Sequence, residues 1–297
     1  MGKLLPSCFV IGTQKGGTSS LHSWLSMQRR LSMPRFKETH FFSEEDRYNR
    51  GWDWYINNFE NRKEGNIMVE VDPDYLSSDI AMKRIYNSFS GSDEIPKFIC
   101  ILRDRIERAK SQWVMSKRRG LEERSFSEAL VASFEKPNDC TGHNDYFSRG
   151  LYGRHIGKYK SIFEESEFLI LGFEDLFLSG NSHALFEEIL NFIGVEDELQ
   201  IPDYEKRVNP SGVARSKSIA NFLTNEKSFI RRVSRVIIPK EKLRIAIGRW
   251  LERVNNKPKE NDIDYTEIDP RIIDAYKEDT AKFLDLFPES KGLFHMD

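Results

Sequence analysis

Three groups of side chains in this 297-residue sequence have the types and spacing to work on an anion. The first is Lys15-Gly16-Gly17-Thr18-Ser19-Ser20, with Gly12 five residues ahead of Gly17. Glycine lets a backbone turn sharply and come close to a bound group. Three hydroxyls and a lysine then supply donors and positive charge. The second group pairs Glu38 with His40; if that stretch is extended, the two share one face, and either could take a proton. The third is Arg103, whose guanidinium suits a bidentate grip on phosphate, followed by Ser111 about two helical turns later. Gripping an anion, taking a proton and neutralising charge are the tasks of group transfer between oxygens.

These groups need a scaffold that brings them to one edge. Cys8-Phe9-Val10-Ile11 is a short apolar run ended by Gly12 and predicts a buried strand. Thr18 to Ser20 supply hydroxyls and an N-cap, and Leu21, Trp24 and Leu25 begin an amphipathic helix. A strand, a glycine loop and a helix start together make an anion site, because free N–H groups and the positive helix end face the ligand. Ile67–Val71, Lys97–Leu102 and Phe168–Leu171 predict three further strands; the near-continuous apolar character of Lys97–Leu102 marks a central parallel strand. Helices are expected at Gly51–Phe59, Asp79–Phe89 (capped by Ser77 or Ser78), Arg105–Arg119, Ser125–Glu135, Tyr152–Phe163 and Ala184–Ile193.

Alternating strands and helices predict a P-loop-like three-layer α/β fold, with a central parallel sheet flanked by helices. Beyond Asn209 the pattern turns helical, at about Lys217–Thr224, Ser228–Val236, Glu241–Val254 and Pro270–Phe283. No linker or repeat divides the chain. We read 1–297 as one domain, with 1–208 the α/β core and 209–297 a C-terminal helical cap. Lys136–Gly150 is polar and reads as a loop over the site. Arg105, Arg108 and Lys110 read as surface charge, as do Arg231, Arg232 and Arg235.

Composition narrows the class. Hydrophobic content of 39% and charged content of 31% fit a globular protein. A net charge of −2 leaves no overall nucleic-acid footprint, although Glu205–Lys259 holds 15 Lys and Arg against 4 Asp and Glu. Cys8, Cys100 and Cys140 lack metal-type spacing, and Cys8 and Cys100 sit in apolar runs, so free buried thiols and a reducing compartment are expected. No stretch approaches the roughly 18 apolar residues of a membrane span. No signal peptide precedes the first strand, and Met1-Gly2 meets Pro6 where a myristoylation signal wants Ser or Thr. A cytoplasmic protein is the expectation.

The glycine loop keeps the spacing of the nucleotide-triphosphate motif, but Thr18 stands at its lysine position and Lys15 comes earlier. In this it resembles the sulfonate-donor loop of the sulfotransferases, which use 3′-phosphoadenosine 5′-phosphosulfate (PAPS). Lys37-Glu38-Thr39-His40-Phe41-Phe42 resembles a KEPHFF-type segment of the carbohydrate (heparan-sulfate-like) branch, with Thr39 in place of its proline. Trp54-Tyr55 with Phe59, the run from Leu102 to Ser111, Gly150-Leu151-Tyr152 and Leu171–Leu176 resemble further family landmarks in the family's order. The resemblance implies that Lys15, Gly16, Gly17, Thr18, Ser19 and Ser20 hold the donor's 5′ end. Arg103 and Ser111 would hold its 3′-phosphate, and Glu38 would act as base. The product would be adenosine 3′,5′-bisphosphate, the acceptor a hydroxyl of a carbohydrate or similar molecule, and no metal is required.

Two departures stand out. Glu70-Val71-Asp72-Pro73-Asp74-Tyr75 carries Val71 where the resembled branch often has lysine; either the acceptor site is built differently, with Asp72 and Asp74 open to facing a hydroxyl-rich acceptor, or another cation takes the lysine's place. A late cysteine pair of secreted relatives is missing, and Asn209–Lys217 is similar to the bacterial-type segment, with Arg215 and Lys217 closing over the bisphosphate. Two rival readings stand beside this one. Asp72 at a strand end suits a magnesium-organising carboxylate of a P-loop kinase or NTPase. The basic Glu205–Lys259 stretch suits a non-catalytic module holding an anionic polymer.

Overall fold

The computed structural model describes residues 4–137, 142–177, 180–195, 200–204, 213–214, 256–257 and 267–293. Five strands form a parallel sheet in the order β2-β3-β1-β4-β5. They are β1 (Cys8–Gly12), β2 (Leu31–Ser32), β3 (Ile67–Val71), β4 (Lys97–Leu102) and β5 (Phe168–Gly172). The four strands read from the sequence are all present. The edge strand β2 is an addition, because two residues are too short to show a period. β1 lies in the middle, with Cys8 opposite both Val69 and Lys97. The α/β three-layer expectation therefore holds, and the glycine loop leaves the centre of the sheet.

Alternation along the strands builds two cores. Phe9 and Ile11 of β1 join Phe98, Cys100 and Leu102 of β4 on one face. That face is covered by Phe41, Phe42, Tyr55, Tyr75, Tyr152 and Tyr159, all fully or almost fully buried. Cys8 and Val10 point the other way with Val69, Ile99 and Ile101. Helix α1 (Thr18–Leu25) covers that face with Leu21, Trp24 and Leu25. Cys8 and Cys100 are free and wholly buried, and burial pushes both thiols far above their usual pKa. Cys140 lies outside the described residues.

The remaining helices are α2 (Glu45–Tyr48), α3 (Gly51–Asn57), α4 (Asp79–Ser88), α5 (Arg105–Arg118), α6 (Phe126–Glu135), α7 (Tyr152–Ile162), α8 (Phe173–Phe177), α9 (Ser182–Ile193) and α10 (Pro270–Leu286). Of the two serines proposed to cap α4, Ser78 does so, accepting from the N–H of Ala81 at 3.1 Å. The three helices expected between Lys217 and Val254 lie outside the described residues. Val213–Ala214 and Asn256–Lys257, within the stretch read as helical, pair as a short antiparallel ladder. No helix among the described residues is long and apolar enough to cross a membrane.

The chain divides into two compact units. The first, Met1–Arg108, Leu151–Asn209 and Ala275–Asp297, holds the sheet. The second is Ala109–Gly150 with Pro210–Asp274. In the second unit, Ser125 and Glu128 form a reciprocal capping box at the start of α6. The stretch Lys136–Gly150 carries short 3₁₀ turns at Gly142–Asn144 and Ser148–Gly150, and Ser116 Oγ donates to the His143 carbonyl at 2.9 Å.

Candidate active site

The glycine loop folds back over the end of β4. The N–H of Thr13 donates to the Ile101 carbonyl and the N–H of Gly16 to the Thr13 carbonyl, both at 2.9 Å. A Cβ on Gly16 would lie 2.6 Å from the Ile101 oxygen, closer than such atoms approach. Gly17 has φ of 82°, and the ring of Phe177 fills the space its Cβ would need. Gly17, not a hydroxyl of Thr18–Ser20, occupies the N-cap of α1, and no side chain caps that end. The predicted side-chain cap is thus corrected: the helix begins at Thr18, which puts all three hydroxyl residues inside its first turn. The Ser20 N–H turns back to the Gly17 carbonyl at 2.9 Å, while the first amides of a helix, here those of Thr18 and Ser19, have no acceptor within it and can face an anion.

Arg103 follows β4, the neighbour of β1, so it lies at the same carboxyl edge of the sheet. Open α/β sheets bind ligands at this edge. Its guanidinium sits 4.5 Å over the ring of Phe173, and one Nη contacts Glu107 at 3.2 Å. Its Nε is buried and has no acceptor among the described residues. Tyr152 donates its hydroxyl to the Arg103 carbonyl at 2.9 Å. Arg105 and Arg108, read from sequence as surface charge, are wholly buried, which corrects that expectation. Arg105 pairs with Asp279 at 3.3 Å, 174 residues away, a partner that no local pattern reveals. Ser111 lies on α5 within the second unit. Arg215 and Lys217 lie outside the described residues.

Lys37–Phe42 is not extended. Glu38 and His40 adopt left-handed φ values of 63° and 51°, so strand-like alternation is not what sets their directions. The end of β3 imposes this shape. The N–H of Glu38 donates to the Val71 carbonyl at 3.2 Å, and that of His40 to Asp72 Oδ2 at 2.8 Å. Between them, Thr39 is buried and donates its hydroxyl to Glu70 Oε1. Glu70 also accepts from the hydroxyls of Tyr55, at 2.5 Å, and Tyr75, at 3.0 Å. Burial and the charge of Asp72 push the Glu70 carboxyl up to about 7, against these three donors. Phe41 stacks on Tyr55 with centroids 4.4 Å apart.

Above this floor, Glu38 and His40 remain partly open, their side chains 36% and 23% exposed. Glu38 forms an ion pair with Lys37. His40 Nδ1 is 3.2 Å from Asp72 and 3.7 Å from Asp74. Burial acts to lower the imidazole pKa, but the bond to Asp72 and the charges of Asp72, Asp74 and Glu38 outweigh it and raise it to about 9. Burial also pushes Asp72 up while His40 pulls it down. Three N–H donors on this carboxylate, the His40 amide and ring and the Asp74 amide, favour the ion pair. Asp72 is wholly buried, so it serves His40 and does not face an acceptor as the sequence suggested; Asp74 is partly exposed. Gln14 Nε2, in the glycine loop, reaches Asp74 at 3.4 Å and ties that loop to the turn after β3. Sequence reasoning passed over Gln14, which occupies an unconstrained position of the loop motif.

Several known proteins are similar to this chain. It is 26% identical over 173 residues to the heparan sulfate glucosamine 3-O-sulfotransferase 5 of Homo sapiens, covering 56% of this chain and 47% of that protein. It is 26% identical over 213 residues to the bifunctional heparan sulfate N-deacetylase/N-sulfotransferase 1 of Xenopus tropicalis, covering 68% of this chain and 23% of that protein. The chain thus spans less than half the length of either relative. Its fold is like that of a solved sulfotransferase from Alicyclobacillus acidocaldarius, with a TM-score of 0.57 and 24% identity over 70% of this chain and 87% of the other. A family model described as the sulfotransferase domain matches residues 5–233, and the chain, with its glycine loop, KETHFF segment and Arg103 all inside that match, belongs to the sulfotransferase-domain family.

Proposed function

We propose that this chain transfers a sulfuryl group from PAPS to a hydroxyl of a carbohydrate or similar acceptor. The observation that carries the reading is the buried Nε of Arg103, which has no acceptor among the described residues, beside a glycine loop with an open helix start. A donor with phosphates at both ends of one nucleoside fits that pair of features. When bound, it supplies the sulfuryl unit. The amides of Thr18 and Ser19 and the hydroxyls of Thr18, Ser19 and Ser20 hold its 5′-phosphate, and Gly16 and Gly17 let the backbone come close to it. Arg103 holds the 3′-phosphate; Ser111, Arg215 and Lys217 are further candidate nucleotide contacts on the strength of the sequence resemblance alone. Lys15 neutralises charge where the phosphate leaves. Glu38 takes the acceptor's proton, since it is partly exposed and lies on the segment fastened to β3. His40, held protonated, orients the acceptor and is not the base. The carbohydrate acceptor is supported by the heparan sulfate enzymes among the relatives.

Calorimetry with adenosine 3′,5′-bisphosphate against ATP plus magnesium tests the donor. Preference for the bisphosphate is expected, and preference for ATP would overturn the reading. Turnover of PAPS against a panel of sugars, lipids and phenols then identifies the acceptor.

A further inference from the structure

We infer that Asp279, on helix α10, is a positioning residue for Arg103. Asp279 is 4% exposed, and its two oxygens take three bonds. Oδ2 accepts from the N–H of Gly153 at 2.8 Å and from Arg105 Nη2 at 3.3 Å. Oδ1 accepts from the N–H of Arg154 at 2.8 Å. Gly153 and Arg154 lie in the first turn of α7, where amides have no partner within the helix. The residue at the N-cap of α7 is Leu151, which has no side-chain oxygen to offer. Asp279 supplies that cap from a distant helix, with a full negative charge at the positive end of α7.

The approach is close because Gly153 is bare. A Cβ there would collide with the Asp279 carbonyl and lie 2.8 Å from the Phe283 nitrogen. The capped turn starts with Tyr152, whose hydroxyl holds the Arg103 carbonyl at 2.9 Å. The Arg105 guanidinium, gripped by the same carboxylate, lies 5.1 Å over the Tyr152 ring and 5.7 Å over that of Tyr276, also on α10. Asp279 therefore fixes the backbone on both sides: α7 through its cap, and the residue two beyond Arg103 through an ion pair. The Arg103 main chain is clamped while its Nε is kept for a ligand. Helix α10 lies past residue 233, outside the span that matches the family model, so this support belongs to the chain's own C-terminal part.

The inference rests on the donor reading above, and its test separates the two. Affinities for adenosine 3′,5′-bisphosphate and adenosine 5′-monophosphate are measured by calorimetry on the full chain, with thermal midpoints alongside. The wild type prefers the bisphosphate, and Arg103→Ala removes the preference. Asp279→Asn and Tyr152→Phe each lower bisphosphate affinity about tenfold, the order expected from one misplaced charge-assisted contact, and change monophosphate affinity by less than about twofold. In the Arg103→Ala background neither change lowers affinity further. Equal weakening of both nucleotides, or a preference retained at a lower midpoint, overturns the inference and leaves the donor reading intact. A wild type with no preference overturns both. Tyr152→Phe keeps the ring and deletes one hydroxyl, so it carries the test alone if Asp279→Asn fails to fold.

Discussion

One carboxylate oxygen of Asp72 accepts twice from the same residue: from the backbone N–H of His40 at 2.8 Å and from its Nδ1 at 3.2 Å. This pair of hydrogen bonds to one residue sets both the backbone of the segment and the charge of the ring above it.

Stability should therefore depend on pH through His40. Its folded pKa of about 9 stands above the ordinary 6.5, so the folded state holds the proton more tightly than the unfolded one. The stabilisation is complete below pH 6.5 and is lost as pH rises through 9. Denaturant midpoints measured across that window should fall in the wild type and fall less in His40→Asn. An NMR titration of the His40 ring should show its pKa moving down toward 6.5 in Asp72→Asn.

Glu70 governs a lower window. Its folded pKa of about 7 exceeds the ordinary 4.5, so ionisation is harder in the folded chain. The sign is again a loss of stability as pH rises, now from 4.5 to 7. Glu70→Gln should flatten the profile there and leave the fall toward pH 9 in place. Tyr55→Phe, which removes a hydroxyl donor from the buried carboxylate, should cost about 1–3 kcal/mol in urea unfolding.

The loop glycines are required by packing before any ligand arrives. Gly16→Ala drives a methyl into the Ile101 carbonyl, and Gly17→Ala adds one where a Phe177 ring already lies, at a left-handed φ. Each should cost about 1–3 kcal/mol by denaturant unfolding and weaken bisphosphate binding in calorimetry. A stable Gly17→Ala protein that binds as the wild type does would refute this account of the loop.

Glu38→Gln should leave bisphosphate affinity within about twofold of wild type. It should lower sulfuryl transfer by a factor of about 10² to 10⁴, the range for loss of a general base. Single-turnover transfer from radiolabelled donor measures it, and an unchanged rate would assign the proton to another group.

What could be read in advance follows from where the information sits. β1, β3, β4 and β5 announce themselves because each is a mostly apolar run, Glu70 and Lys97 apart, packed on both faces of the sheet. The glycine loop is legible for the same local reason, and Arg103 through its place at a strand end. The KETHFF segment is not, because its left-handed turns at Glu38 and His40 are imposed by Val71 and Asp72, more than 30 residues on. The buried state of Arg105 escapes notice likewise, since the helix that covers it lies near the far end of the chain. Long-range polar pairs leave no period in the sequence.

The two thiols on β1 and β4 are built-in reporters of whether the sheet is closed. Sealed away from solvent and held as neutral S–H, Cys8 and Cys100 are inert to an alkylating reagent while the strands stay together. In a Cys140→Ser background, the rate at which iodoacetamide tags them counts only molecules whose centre has opened. Mass spectrometry of that tagging would read the opening equilibrium of the protein directly, with no probe attached beforehand.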